Sequence, residues 1–273
     1  MKRREFMHTS SSTGPLAQNQ SHNFALGQTM RIYSASACYT WIPKNACSTM
    51  RFSVAVANGC ISDISDINWI HANNKSFNVN TETAFLSDYT FVVLRCPYQR
   101  IYSAFMDKFV NLDMQAWLFG NLRNRSFHPH DLTFRTLLAE LKKTPVSRYD
   151  IHLRHQSAFL LYKEYDDYFR LEDFPHAAST IERKTGISII DTRDALRHDT
   201  AKLKVMPDFK DPMDIPVVEI LEQKRQGNIP DPKAMFDEQI ASEVKAMYAE
   251  DIALYERKFG KSELMNFFDA RAD

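Results

Sequence analysis

Two short apolar runs in the first half of the chain have the pattern of buried strands. Residues 31–42 (RIYSASACYTWI) combine β-forming and small side chains, carry no charge after Arg31, and end at Pro43. Residues 89–94 (YTFVVL) are rich in β-branched and aromatic side chains. Such runs are typical of strands buried on both faces of a parallel sheet. We therefore expect one strand in each run.

A helix is predicted after each of these strands. Residues 48–57 can be capped by Ser48 or Thr49, and the Asn-Gly pair at 58–59 is a typical helix end. Pro97 suits the first turn of a second helix, whose apolar side repeats at helical spacing. A strand–loop–helix unit thus occurs twice, which predicts an α/β fold: one P-loop-like domain with a central parallel sheet flanked by helices.

The pattern is less regular in the rest of the chain. Residues 134–142 and 153–164 are expected to be helical, and residues 61–87 are ambiguous. Prolines interrupt residues 209–232, which predicts a long loop with a short helix inside it. Residues 231–259 are predicted to form one long amphipathic helix that begins near Pro232 and ends before Gly260.

Composition sets the domain organisation. Residues 1–28 are rich in Ser, Gln, Asn and Thr, which predicts a flexible N-terminal tail, and residues 29–273 are expected to form one domain. The 34 basic residues balance the 34 acidic residues, so the basic excess of a nucleic-acid-binding protein is missing. No apolar run is long enough to span a membrane, and the charged start is followed by polar residues. We expect a soluble protein.

The four cysteines show no C-x-x-C spacing. A chain of this length needs no disulfides for stability, so a reduced, intracellular setting is expected. The same spacing argues against a zinc site, and we predict no metal site.

The loop at residues 43–49 (PKNACST) connects the first predicted strand to a helix start. Backbone N–H groups and the helix dipole attract an anion at such a point. Lys44 adds a charge, and Ser48 and Thr49 add hydroxyl donors. The loop lacks the glycines and the residue order of a Walker A loop. A phosphate-type site and a capped helix with an exposed lysine both fit this pattern.

The second loop begins at Arg95, at the carboxyl end of the second predicted strand, where open α/β sheets bind their ligands. Arg100 and Ser103 follow one turn apart on the next helix. Taken alone, this basic strand end fits either an anion site or structural salt bridges.

Together, the two loops resemble the sulfotransferase superfamily, specifically the carbohydrate sulfotransferases of the family 2 type. That family has a P-K-x-x-x-[ST]-[ST] loop and an R-x-P-x-x-R-x-x-S-A-[FY] segment, which read PKNACST and RCPYQRIYSAF here. Residues 150–156 resemble its D-x-H-[WF]-x-P-Q stretch, with His155 in place of the proline. Residues 165–174 and 248–260 resemble two further family segments. The likeness runs from about residue 31 to 260.

The resemblance implies that 3′-phosphoadenosine 5′-phosphosulfate (PAPS) is the donor and adenosine 3′,5′-bisphosphate the product, with no metal required. The first loop would hold the 5′-phosphosulfate, while Arg95 and Ser103 would hold the 3′-phosphate. Lys44 would also be catalytic, because it would balance the charge that develops on the leaving oxygen. The residues that the resemblance assigns to the donor are Pro43, Lys44, Asn45, Ala46, Cys47, Ser48, Thr49, Arg95 and Ser103.

The acceptor hydroxyl needs a base, and histidine suits this role near neutral pH. His71 is the first candidate, because it lies between the two loops, where related uronyl sulfotransferases have a histidine that acts as the base. His152, in the D-x-H stretch, is the second. Its structural alternative is a residue that positions the loop or the adenine.

The resemblance implies a carbohydrate acceptor, namely a glycan or polysaccharide precursor. Animal members usually have an N-terminal membrane helix, so its absence favours a bacterial cytoplasmic protein, with a peripheral position at the inner membrane as a variant. Two alternatives stay open: a phosphotransferase with a P-loop-like site, and a nucleotide-binding protein without catalysis. The order of the first loop and the lack of an evident magnesium carboxylate count against a phosphotransferase.

Overall fold

A computed structural model describes residues 4–8, 15–73, 75–122, 128–145, 148–193, 195, 203–206 and 209–269. The chain divides into two compact units. Unit 1 comprises residues 1–95 and 156–198, and unit 2 comprises residues 96–155 and 199–273. The strands of the described residues are β1 (Thr29–Ile32), β2 (Ala37–Thr40), β3 (Tyr89–Leu94), β4 (Asp167–Arg170), β5 (Lys204–Met206) and β6 (Asn228–Pro230). The α-helices are α1 (Gln20–Leu26), α2 (Cys47–Ala57), α3 (Trp69–Ala72), α4 (Thr81–Phe85), α5 (Pro97–Ala104), α6 (Met114–Leu122), α7 (Phe134–Lys142), α8 (Phe174–Thr185), α9 (Val217–Arg225), α10 (Glu238–Met247), α11 (Ala249–Phe259) and α12 (Lys261–Asp269).

Unit 1 is built on a four-stranded sheet of order β1-β2-β3-β4. β2, β3 and β4 are parallel, and β1 is an antiparallel edge strand. All four residues of β2 are buried, as are residues 90–94 of β3, so the centre of the sheet is the core of this unit. The prediction of an α/β fold with a parallel central sheet and flanking helices is confirmed.

The first predicted strand is wrong as a single element. Residues 31–42 contain the end of β1 and the whole of β2, which pair antiparallel with Thr29 opposite Thr40. A short 3₁₀-helix (Tyr33–Ala35) separates them, and Ser36 has a left-handed φ of 47°. The reversal at Ser36 divides the run into a hairpin, which the apolar pattern alone does not reveal.

Three elements agree closely with the predictions from the sequence. β3 has the predicted bounds, α5 begins at Pro97, and α7 coincides with the helix expected at residues 134–142. A π-helix, Phe105–Phe109, continues α5.

Three other predictions need correction. Residues 153–164 are a loop with a 3₁₀-helix at Ser157–Phe159, because backbone groups of this segment bond elsewhere, as Leu161 O does with Met7 N at 2.8 Å. Residues 209–232 hold α9 and also β6, which pairs with β5 in a parallel ladder. Residues 231–259 form two helices, since Tyr248 interrupts the chain between α10 and α11 with φ −112° and ψ 30°.

The described parts of the expected tail, residues 4–8 and 15–28, have ordered contacts within unit 1. Arg4 is 4% exposed and forms an ion pair with Asp166 at 2.6 Å. Phe6 bridges to Tyr162, and α1 buries His22. The predicted domain boundary at residue 29 stays a prediction.

Unit 2 combines the β5–β6 pair with α5–α7 and α9–α12. Its core includes an aromatic cluster in which the rings of Tyr98, Phe134 and Phe267 surround Phe236 at centroid distances of 5.4–5.5 Å. Across the part of the chain that the structure describes, no helix has both the length and the apolarity needed to cross a membrane.

Candidate active site: two loops at one edge of the sheet

The two predicted loops leave the sheet at the same edge. β2 and β3 are parallel neighbours, with Thr40 opposite Val92. The loop that begins at Pro43 follows β2, and Arg95 follows β3 directly. The carboxyl edge of a parallel sheet is the usual ligand site of such folds, so unit 1 brings both segments to a suitable place.

The first loop has a backbone that is unusual for residues other than glycine. Lys44 has a φ of 71° and Ala46 a φ of 56°, both in the left-handed region. Such conformations cost about 1–3 kcal/mol each and concentrate at functional sites. Asn45 lies between these two left-handed residues and is fully buried, so its side chain contacts other parts of the protein and not solvent.

The start of α2 offers backbone donors. Ala46 is the N-cap without a side-chain capping bond, and the first intrahelical bond runs from Met50 N to Ala46 O at 3.0 Å. Helical geometry gives the N–H groups before Met50 no acceptor within the helix, which favours an anion there. The predicted cap by Ser48 or Thr49 is wrong, because the helix starts one residue earlier. Thr49 Oγ1 instead lies 3.1 Å from Thr192 Oγ1.

A buried amide network joins the two loops. Asn45 Nδ2 donates to Val93 O at 2.9 Å and to Gln156 Oε1 at 2.6 Å. Gln156 also bonds to both backbone groups of Arg95: its Oε1 accepts from Arg95 N at 3.0 Å, and its Nε2 donates to Arg95 O at 2.9 Å. Arg95 Nη1 donates to Lys44 O at 3.0 Å. These bonds fix the lysine loop and the arginine relative to each other.

The other donor residues of the first loop are placed along the turn and the first turn of α2. Pro43 and Thr49 are buried, while Lys44, Ala46, Cys47 and Ser48 are half-buried. Cys47 is a free thiol.

Ser103 belongs to unit 2, where it is a half-buried residue near the end of α5. In the same unit, Arg100 is 2% exposed and donates from Nη1 to Arg154 O at 2.7 Å. Arg100 thus has a structural partner within the D-x-H stretch, residues 150–156.

His71 is an exposed residue of the short helix α3 in unit 1. This helix packs against α2. Arg51 of α2 is buried, donates to Ile70 O, and places its guanidinium 5.0 Å from the centre of the Trp41 ring. His71 therefore directly follows Ile70, a buried residue whose carbonyl accepts a bond from the buried Arg51.

His152 is paired with a carboxylate in unit 2. Its Nδ1 lies 2.6 Å from Asp150 Oδ1, and its side chain is 20% exposed. Burial of Asp150 favours the neutral carboxyl, but the hydrogen bonds and charge of His152 outweigh it, so the pKa of Asp150 is lowered. A carboxylate on Nδ1 orients an imidazole and leaves Nε2 as the nitrogen that can accept a proton.

The site residue that we did not predict is Gln156. It is 1% exposed and links both loops, although it comes 61 residues after Arg95. In the sequence, Gln156 stands out only as the final residue of the segment that resembles D-x-H-[WF]-x-P-Q. Its distance in sequence from the two loops does not indicate a role in the site.

A comparison with known families decides the assignment. The sequence profile described as the sulfotransferase family matches residues 33–257, which include both loops, His71 and His152. The chain belongs to the sulfotransferase family. No curated protein and no solved structure matches it. As a member of this family, the sulfotransferase is a transferase whose general activity is sulfuryl transfer, and PAPS is the donor that the family generally uses.

Proposed function

We propose that this sulfotransferase transfers a sulfuryl group from PAPS to a hydroxyl group of a carbohydrate acceptor. The supporting observation is the bond from Arg95 Nη1 to Lys44 O, which joins a basic strand end to the lysine loop before α2. A donor with anionic groups on both the 5′ and the 3′ oxygen of its ribose fits two basic loops better than a donor with one phosphate chain. The carbohydrate acceptor rests on the family resemblance alone.

The proposed donor site uses both loops. The 5′-phosphosulfate binds the N–H groups of residues 46–49 and the Ser48 hydroxyl. Lys44 neutralises the oxygen that bridges phosphorus and sulfur, because the S–O bond breaks there and the negative charge grows on the leaving bisphosphate. The resemblance assigns the 3′-phosphate to Arg95 and Ser103.

The base that we propose is His152, ahead of His71. The acceptor hydroxyl loses its proton to a neutral imidazole as its oxygen attacks sulfur. The 2.6 Å contact between Asp150 Oδ1 and His152 Nδ1 supports this role, because the carboxylate stabilises the imidazolium that forms. A cytoplasmic location stays part of the proposal.

A thermal-shift titration tests the donor. At one hundred times its dissociation constant, a ligand adds about 2.7 kcal/mol to stability, so adenosine 3′,5′-bisphosphate should raise Tm by about 5 °C or more. ATP at the same concentration should raise Tm less, because it lacks the 3′-phosphate. If ATP stabilises the protein and the bisphosphate does not, the proposed donor is wrong.

A further inference from the structure

Arg95 is the first residue beyond the ladder of β3 and β4. That ladder pairs Leu94 with Arg170 and ends there. The N–H and C=O of Arg95 are bonded instead by one side chain, the amide of Gln156, at 3.0 and 2.9 Å. An amide that bonds both backbone groups of a residue acts as the opposite residue of an antiparallel strand pair would. Gln156 thus prolongs the order of β3 by one residue, up to the arginine.

The same amide also bonds a side chain of the lysine loop. Gln156 Oε1 accepts a second bond, from Asn45 Nδ2 at 2.6 Å, and Asn45 lies between the two left-handed residues Lys44 and Ala46. A buried amide that bonds three groups at once can hold a strained loop, because each unmade bond would leave a polar group without water. One side chain therefore bonds both the backbone of Arg95 and the side chain of Asn45, the residue next to Lys44.

We infer that Gln156 is a positioning residue. It sets the distance between the two anion-binding loops for a nucleotide that carries phosphates at its 3′ and 5′ positions. The inference rests on the proposed function, since it takes PAPS as the ligand. Gln156 acts through Asn45 and Arg95 and needs no contact with the ligand. Its loss should therefore weaken binding of a ligand that uses both loops.

The test is the dissociation constant of adenosine 3′,5′-bisphosphate for the full chain, measured by calorimetry well below the melting temperature. Gln156→Met keeps the length of the side chain and removes all three bonds. We expect this variant to bind the bisphosphate about tenfold or more weakly, since each tenfold corresponds to roughly 1.4 kcal/mol of lost positioning. If Gln156→Met fails to fold, Gln156→Asn keeps an amide one methylene shorter and should still weaken binding about threefold or more.

Asn78→Ala is the matched control, because Asn78 Nδ2 donates to Gly27 O at 2.9 Å elsewhere in unit 1. It should lower Tm and leave the dissociation constant unchanged. A Gln156 variant that behaves in the same way, with lower Tm and wild-type affinity, overturns the inference. If the wild-type protein does not bind the bisphosphate, the proposed function itself fails, and the two failures are thereby distinguished.

Discussion

Replacement of Arg95 by alanine gives the sharpest test of how the phosphates are divided between the loops. In the proposed site, the Arg95 guanidinium binds the 3′-phosphate. Adenosine 5′-phosphate lacks that group, while adenosine 3′,5′-bisphosphate has it. We therefore expect Arg95→Ala to weaken the bisphosphate far more than the monophosphate.

The size of the effect follows from two bonds of different kinds. A hydrogen bond between charged partners contributes about 1.5–3 kcal/mol, which corresponds to roughly 10- to 150-fold in affinity for the bisphosphate. The 3.0 Å bond from Arg95 Nη1 to Lys44 O has a neutral acceptor, and its loss costs about 1 kcal/mol, or roughly fivefold. Because that bond shapes the loop for both ligands, the fivefold loss applies to each.

Isothermal titration of both nucleotides into wild type and Arg95→Ala measures the ratio directly. Arg193→Ala is the control, since Arg193 is an arginine of the same unit with a 60% exposed side chain paired to Asp191. It should change neither affinity. An equal loss for the two nucleotides in Arg95→Ala would refute the assignment of Arg95 to the 3′-phosphate.

Three further predictions concern catalysis and stability. Asp150→Asn removes the carboxylate at His152 Nδ1, so sulfate transfer should fall by about 10²–10⁴ with unchanged bisphosphate affinity; an unchanged rate would exclude this pair. Burial lowers the pKa of His22 below 6.5, so the unfolded chain takes up a proton that the folded state excludes, and the free energy of unfolding in urea should fall as the pH drops below about 6.5. His22→Leu should flatten this dependence, and an equally steep one would contradict it. Arg4→Met breaks the ion pair with Asp166, whose arginine is buried, and should cost about 3–5 kcal/mol in the same assay; a loss below about 1 kcal/mol would refute this.

The sequence predicts the parts of the fold in which one local signal dominates. β3 and α5 follow from a β-branched run and from Pro97, and both have the expected starts. The division at Ser36 and the break at Tyr248 depend on single backbone conformations that neither the apolar pattern nor the helical periodicity records. β6 was missed because its pairing with β5 is tertiary and its last residue is a proline.

The donor site divides in the same way. Lys44 and Arg95 are recognisable because each lies just after an apolar strand in a motif with specific spacing. Gln156 is far from both in sequence, and its uncharged amide is neither a nucleophile nor an acid or base. Only the structure therefore reveals its three bonds. Our proposal of His152 over His71 also depends on the structure. Asp150 is close to His152 in sequence, but only the structure reveals the 2.6 Å contact between its carboxylate and His152 Nδ1.

Transfer of ³⁵S from labelled PAPS to a panel of chemically desulfated polysaccharides tests the central claim most directly. The account predicts label in a polysaccharide with the wild-type protein. With Lys44→Ala, it predicts a rate about 10²–10³ lower while bisphosphate binding persists. The account would be contradicted if Lys44→Ala transferred label at the wild-type rate, or if the protein left PAPS intact and transferred ³²P from ATP instead.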